Sequence, residues 1–206
     1  MANDASVHLG KFISHLNNLD KTRRKMETLL KGGVIVGRDI EQVYEGLFMS
    51  SITSLENWIE SLFVGLMVGR ITHHSASVVP HVSFNSDRIA RDVILGGRNY
   101  LDWLPYQRYT IKRAKAFYRN GVPFTNLDKT DIKKLDVLYI IRNAIAHKSQ
   151  HSLSLFEKEV VGTIPITQQE RKPAGYLRGV FRITPSQTRY ENLITEMVST
   201  INKLCS

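Results

Sequence analysis

Residues 135–147, Leu-Asp-Val-Leu-Tyr-Ile-Ile-Arg-Asn-Ala-Ile-Ala-His, constrain this chain more than any other stretch. From Val137 to Ala146 only Arg142 and Asn143 are polar. Laid on a helix, Leu135, Leu138, Ile141 and Ile145 recur at three- and four-residue steps and form one apolar stripe. Val137, Ile140 and Ala144 fill most of the opposite side, so the helix is apolar almost all round. Such a helix is buried, either inside the chain or against a second copy of it. Arg142, four residues from Leu138, falls at the edge of the stripe. Its guanidinium keeps its charge, and burying it unpaired costs on the order of several kcal/mol. Arg142 therefore needs an anionic partner, a wet crevice or a ligand.

The rest of the chain supplies helices to pack around this one. The apolar period of Leu9, Phe12, Leu16, Leu19, Met26 and Leu30 predicts a helix over 6–31, stopped by Gly32-Gly33. Its cluster Lys21, Arg23, Arg24, Lys25 reads as a solvated face, with phosphate contact the alternative. A second helix is expected over 38–69, about 45 Å long, with Tyr44, Phe48, Leu55, Trp58 and Leu62 on its buried side. Small residues at Ser50, Ser51, Thr53 and Ser54 admit a close neighbour, and Glu56 is a candidate ionic partner for Arg142. Gly65 and Gly69 mark close packing and the helix end. His73, His74 and His81 follow without the Cys, carboxylates or helical spacing of a zinc site, and read as incidental loop histidines.

Residues 87–120 read as two helical pieces divided near Gly96-Gly97 and Pro105. In the second piece Arg108, Lys112, Lys115 and Arg119 step by four, three and four and so share one face. Such a basic stripe suits a phosphate backbone; an ordinary solvated face is the competing reading. Asp128 or Thr130 is placed to cap the central helix, and His147 and Lys148 bring cations to its carbonyl end. Beyond residue 150, Leu177 to Thr184 predicts a strand with Leu177, Phe181 and Ile183 on one face. Thr184-Pro185-Ser186-Gln187 reads as a capping box opening a last helix through Tyr190, Leu193, Met197, Ile201 and Leu204. The expected fold is mainly α: an antiparallel helical bundle with a small strand-containing C-terminal excursion and a final helix. One domain is expected over 1–206, with a bundle core at 6–150 and a C-terminal elaboration at 151–206.

Charge and cysteine usage narrow the setting. The net charge of +9 favours polyanionic partners, nucleic acid above all. The single Cys205 allows no internal disulfide, which fits a reducing cytoplasm. The opening Met1-Ala2-Asn3-Asp4 is polar and acidic, so no secretory leader is expected. The apolar run Leu62–Gly69 is far short of the ~18–20 residues a membrane span needs.

Arg142-Asn143-Ala144-Ile145-Ala146-His147 resembles the Arg-x4-6-His signature of the HEPN superfamily, in which a polar residue, often Asn, follows the Arg. The long second helix carrying Ser51-Ile52-Thr53-Ser54-Leu55-Glu56, and the late position of the motif, look most like the RiboL-PSP type of HEPN protein. The resemblance implies an antiparallel bundle that dimerises and brings two motifs together. It also implies a metal-independent endoribonuclease of toxin–antitoxin, phage-defence or RNA-processing systems, although some members keep the fold without catalysis. Carried onto this chain, RNA and a second copy are the partners, with an antitoxin or regulatory protein a further one. No cofactor and no membrane enter.

The chemistry agrees with that resemblance. RNA is cut without metal when a base takes the 2′-hydroxyl proton and the oxyanion attacks the adjacent phosphorus. A guanidinium matches the charge that builds on the non-bridging oxygens, and histidine as a residue type titrates near neutrality. Arg142 is expected to stabilise the phosphate, His147 to transfer the proton and Asn143, four residues before His147, to orient the imidazole. Arg142 and His147 lie ~140° apart around a helix, a divergence that makes most sense if a second subunit closes the site. Arg108, Lys112, Lys115, Arg119 and Lys148 are the expected RNA contacts. His147 with His151 also has metal-pair spacing, but lacks an acidic third ligand nearby. The competing readings are a helix-capping His147, a structural Arg142–Glu56 ion pair, and a catalytically silent helical module that binds RNA or a protein.

Overall fold

Apolar residues at helical spacing become long helices throughout. The computed structural model describes residues 3–206; Met1 and Ala2, part of the polar opening, lie outside the described residues. The elements are β1 (Asn3–Asp4), α1 (Ala5–Lys31), α2 (Gly37–Met67), β2 (Ile71–Thr72), α3 (Asp87–Leu95), α4 (Lys112–Phe117), α5 (Lys129–His147), α6 (Gln150–Phe156), α7 (Pro173–Arg178), β3 (Val180–Arg182), β4 (Gln187–Thr188) and α8 (Arg189–Asn202). Wider π turns lead into α4 at Gln107–Ile111 and follow α6 at Glu157–Val161. Helix makes up 67% of the chain, against four strands of two or three residues, so the fold is mainly α. No helix among the described residues is long and apolar enough to cross a membrane.

Contacts divide the chain into two units. The first comprises the N-terminal residues to Ile13, Ser54–Asp136 and Val198–Ser206. At its centre Phe63, fully buried, meets the rings of Trp103, Tyr118 and Phe124 at 5.2, 4.9 and 5.0 Å between centroids. These aromatics keep their polar ends satisfied, as burial requires. Tyr118 donates to the Phe63 carbonyl and Tyr106 Oη to that of Phe124 at 3.1 Å. Gly65 lets Ile71 approach, since a Cβ there would lie 2.6 Å from Ile71 Cδ1. Gly69, at φ 69°, turns the chain out of α2. β1 pairs with β2 in parallel, Asn3 opposite Ile71. Both ring nitrogens of His73 are engaged: Nε2 lies 3.2 Å from the Leu204 carbonyl, and Nδ1 accepts from Ser75 N at 3.0 Å.

The second unit comprises Ser14–Thr53 and Val137–Met197. It contains the buried Arg23, read from sequence as part of a solvated face. Arg23 is 6% exposed because three groups receive its donors: Asp20 at 2.8 Å, Tyr44 Oη at 3.3 Å, and Glu191. Tyr44 donates on to Glu27, which also takes Arg178. Ser51, fully buried, lies 3.2 Å from Tyr190 Oη, which uses the small-residue segment of α2 as expected.

The region after residue 150 corrects three expectations. Leu177 is not on a strand with Phe181 and Ile183. It ends a short helix, α7, that Pro173 opens from the first helical position, and it is fully buried. Phe181 and Ile183 are 52% and 83% exposed on a two-stranded hairpin, β3 against β4, that no further strand covers. The capping box is not Thr184–Gln187. Thr188 and Glu191 form it: Glu191 N donates to the Thr188 hydroxyl at 3.2 Å, and Thr188 N to the Glu191 carboxylate at 2.8 Å. Finally α6, capped by Ser149, was unforeseen; its polar surface hides the helical period.

Candidate functional site

The motif helix α5 begins with a reciprocal cap. Asp128 Oδ1 accepts from Thr130 N at 2.8 Å and Asp131 N at 2.9 Å, while Asp131 Oδ2 accepts from Asp128 N at 3.2 Å. Four orphan N–H groups at a helix start demand such acceptors. The stripe Leu135, Leu138, Ile141 and Ile145 is buried as expected, and Ala144 with it. Val137, Tyr139 and Ile140 keep intermediate exposure.

The polar members of the motif lie at the open edge and end of this helix. Arg142 and Asn143 are half-buried, and Arg142 Nη1 donates to Asn143 Oδ1 at 2.9 Å. The carboxamide oxygen expected to orient His147 thus holds the guanidinium. Ala146 and His147 are exposed in the last turn. Lys148, at φ 47°, leaves the helix in the left-handed region. Its Nζ reaches Glu45 at 3.0 Å, and Ser149 then starts α6. His147 therefore stands at a joint between two helices. Because Lys148 breaks the helix, His147 and His151 do not share a helical face, and the metal-pair spacing loses its basis. Among the described residues no group of three or more His, Cys, Asp or Glu is arranged to hold a metal ion.

Chemically, the motif offers a guanidinium with donors to spare and an open imidazole a few residues on. Glu56, half-buried, belongs to the first unit, whereas Arg142 belongs to the second.

The expected basic stripe is divided. Arg108 and Lys112 are exposed and line one cleft of about 440 Å³ in the first unit. Lys115 does not line it; its Cγ lies beside Gly121. An undistorted helix returns to one face at the fourth and seventh residues, which is why Lys115 was counted. The π turn at Gln107–Ile111 carries the return to the fourth and eighth, so Ala116 takes that place. Arg119 is off the helix altogether, because Tyr118 is extended at φ −127°, ψ 146°. Arg98 and Arg113, not foreseen as contacts, complete the cleft. Nothing in the sequence announces a π turn, and Arg98 reaches the cleft only through tertiary packing. No protein-family model, no curated protein and no solved structure matches this chain.

Proposed function

We propose that this chain is a metal-independent endoribonuclease of the HEPN type, in which two copies of Arg142, Asn143 and His147 face one RNA strand. The observation that supports it is the bonded Arg142–Asn143 pair, with an exposed His147 ending the same, otherwise apolar helix. His147, neutral, takes the proton of a 2′-hydroxyl. The 2′-oxygen forms its bond to phosphorus as the bond from phosphorus to the 5′-oxygen breaks. A protonated imidazole, from either copy, returns a proton to that 5′-oxygen. Arg142 stabilises the charge on the non-bridging oxygens, an effect felt mainly in the transition state. The partly exposed Val137, Tyr139 and Ile140 offer apolar surface on α5 to the second copy. An enzyme that cuts cellular RNA needs restraint, so we assign it to a toxin or phage-defence role held in check by an antitoxin or regulatory protein.

Cleavage of total or transfer RNA, followed on gels, tests this reading. Wild type is expected to cut, and His147→Ala to be inert with an unchanged thermal melt, since the side chain is exposed. RNA that is retarded but never cut would assign the chain to a silent binding module. Light scattering is expected to give a dimer at micromolar concentration; a monomer would remove the composite site.

A further inference from the structure

Gly96 and Gly97, at φ 55° and 83°, turn the chain sharply after α3 and set Arg98 against the helical segment Gln107–Phe117. The resulting cleft of about 440 Å³ is lined by four cations: Arg98, Arg108, Lys112 and Arg113. Among the described residues, no carboxylate lines it. Its floor is apolar, from Ile94 to Ala116, and the half-exposed Tyr109 ring lies 5.3 Å from the Arg108 guanidinium. Arg113 is the inner cation. It lies 4.5 Å over the Trp103 ring and donates to the Asp102 carbonyl oxygen at 2.9 Å. Burial, and then the Arg98 charge, push its pKa below the ordinary guanidinium value, while Asp102 and Glu60 pull the other way. Glu60 is already engaged by Trp103 Nε1 at 3.2 Å and Arg91 at 3.3 Å. Four positive charges thus converge on a small space whose lining carries no matching anion. Mutual repulsion makes that arrangement unfavourable until an anion enters.

We propose that this cleft binds single-stranded RNA, with phosphates on Arg98, Arg108, Lys112 and Arg113 and a base against Tyr109. The volume lies within the ~300–1,000 Å³ of small-ligand sites and so admits a nucleotide unit. Arginines serve backbone phosphate through paired donors, and an exposed ring gives a base a stacking surface. A lone inorganic phosphate would leave the apolar floor and Tyr109 unused. The proposal rests on RNA as the ligand of this protein, but not on cleavage at His147.

The test uses the full chain and a fluorescent single-stranded 2′-O-methyl RNA oligonucleotide, which lacks the nucleophile and stays intact. Anisotropy is read against salt. Arg108→Ala with Lys112→Ala is expected to weaken binding at least tenfold and to lower the salt slope by about two, one for each lost phosphate contact. Lys115→Ala with Arg119→Ala, an identical change of charge outside the cleft, is expected to stay within about threefold of wild type. All four side chains are exposed, and thermal melts check the fold. Equal weakening by both pairs would mean diffuse attraction and overturn the cleft. Wild-type affinity in the first pair would overturn it too, as would binding of inorganic phosphate without the oligonucleotide. Loss of cleavage in His147→Ala with oligonucleotide binding intact leaves the cleft standing, so the two readings fail separately.

Discussion

Arg142 Nη1 donates to Asn143 Oδ1 at 2.9 Å, so adjacent residues of α5 hold one another, and the guanidinium is positioned before any ligand arrives. Side chains that are already ordered lose less entropy on binding, which is what a phosphate-recognising arginine requires.

Arg142→Lys keeps the charge but loses the planar pair of donors. Turnover of an RNA substrate is expected to fall about 100-fold, on the scale of losing one transition-state donor. Affinity for an uncleavable RNA is expected to change less than about threefold. Asn143→Ala is expected to fall between wild type and Arg142→Lys, because it frees the guanidinium without removing it. Steady-state kinetics beside anisotropy reads both; equal losses in turnover and affinity would make Arg142 a binding residue only.

The products carry the second prediction. With the 2′-hydroxyl as nucleophile, fragments are expected to end in 2′,3′-cyclic phosphate and 5′-hydroxyl groups, and cleavage to survive EDTA. A 2′-deoxy sugar at the cut site is expected to abolish cleavage there, and DNA to be inert. Activity that requires added Mg²⁺ would refute the mechanism. Mass spectrometry of the fragments decides the ends.

A third prediction concerns acid. Burial would raise the Glu27 carboxyl, but hydrogen bonds from Arg178 and Tyr44 outweigh it and hold the pKa below the usual carboxylate range. A depressed folded-state pKa gives stability that is present above the unfolded value, about 4.3, and lost as pH falls through the folded one. Arg178→Met is therefore expected to lower Tm at pH 7 and to lower it less at pH 3. Arg178 is 40% exposed, so solvent screening limits the pH 7 effect to about 1 kcal/mol, or roughly 2–4 °C. Melts of both proteins at both pH values give the difference; a gap that does not narrow would remove Glu27 from the account.

Two core substitutions test the packing. Phe63→Ala empties the middle of four aromatic contacts and is expected to destabilise by about 3–5 kcal/mol in urea titrations. Gly175→Ala is expected to destabilise by about 1–3 kcal/mol or more, because a Cβ there would meet the Gln169 backbone carbonyl. Near-wild-type midpoints would show that these neighbourhoods relax.

The long helices were legible in the sequence because each repeats one local instruction many times. Leu9, Phe12 and Leu16 place α1, and Leu135, Leu138, Ile141 and Ile145 place the buried side of α5, all at spacings that need no distant partner. The candidate motif could be named for the same reason, being six consecutive residues on one helix. Tertiary structure decided the short elements and the polar partners. Leu177 joined a helix, with Pro173 opening it from its first position, and Thr188 capped α8 because Glu191 answers it. Arg23 left its apparent solvated face because Glu191, 168 residues away in the chain, receives its charge. The basic stripe became a cleft because one wide turn shifted the register and Gly96-Gly97 brought in Arg98. Periodicity is written locally. A charge finds its partner only when the chain has folded, since a burial that costs several kcal/mol alone becomes tolerable only where the donors meet acceptors.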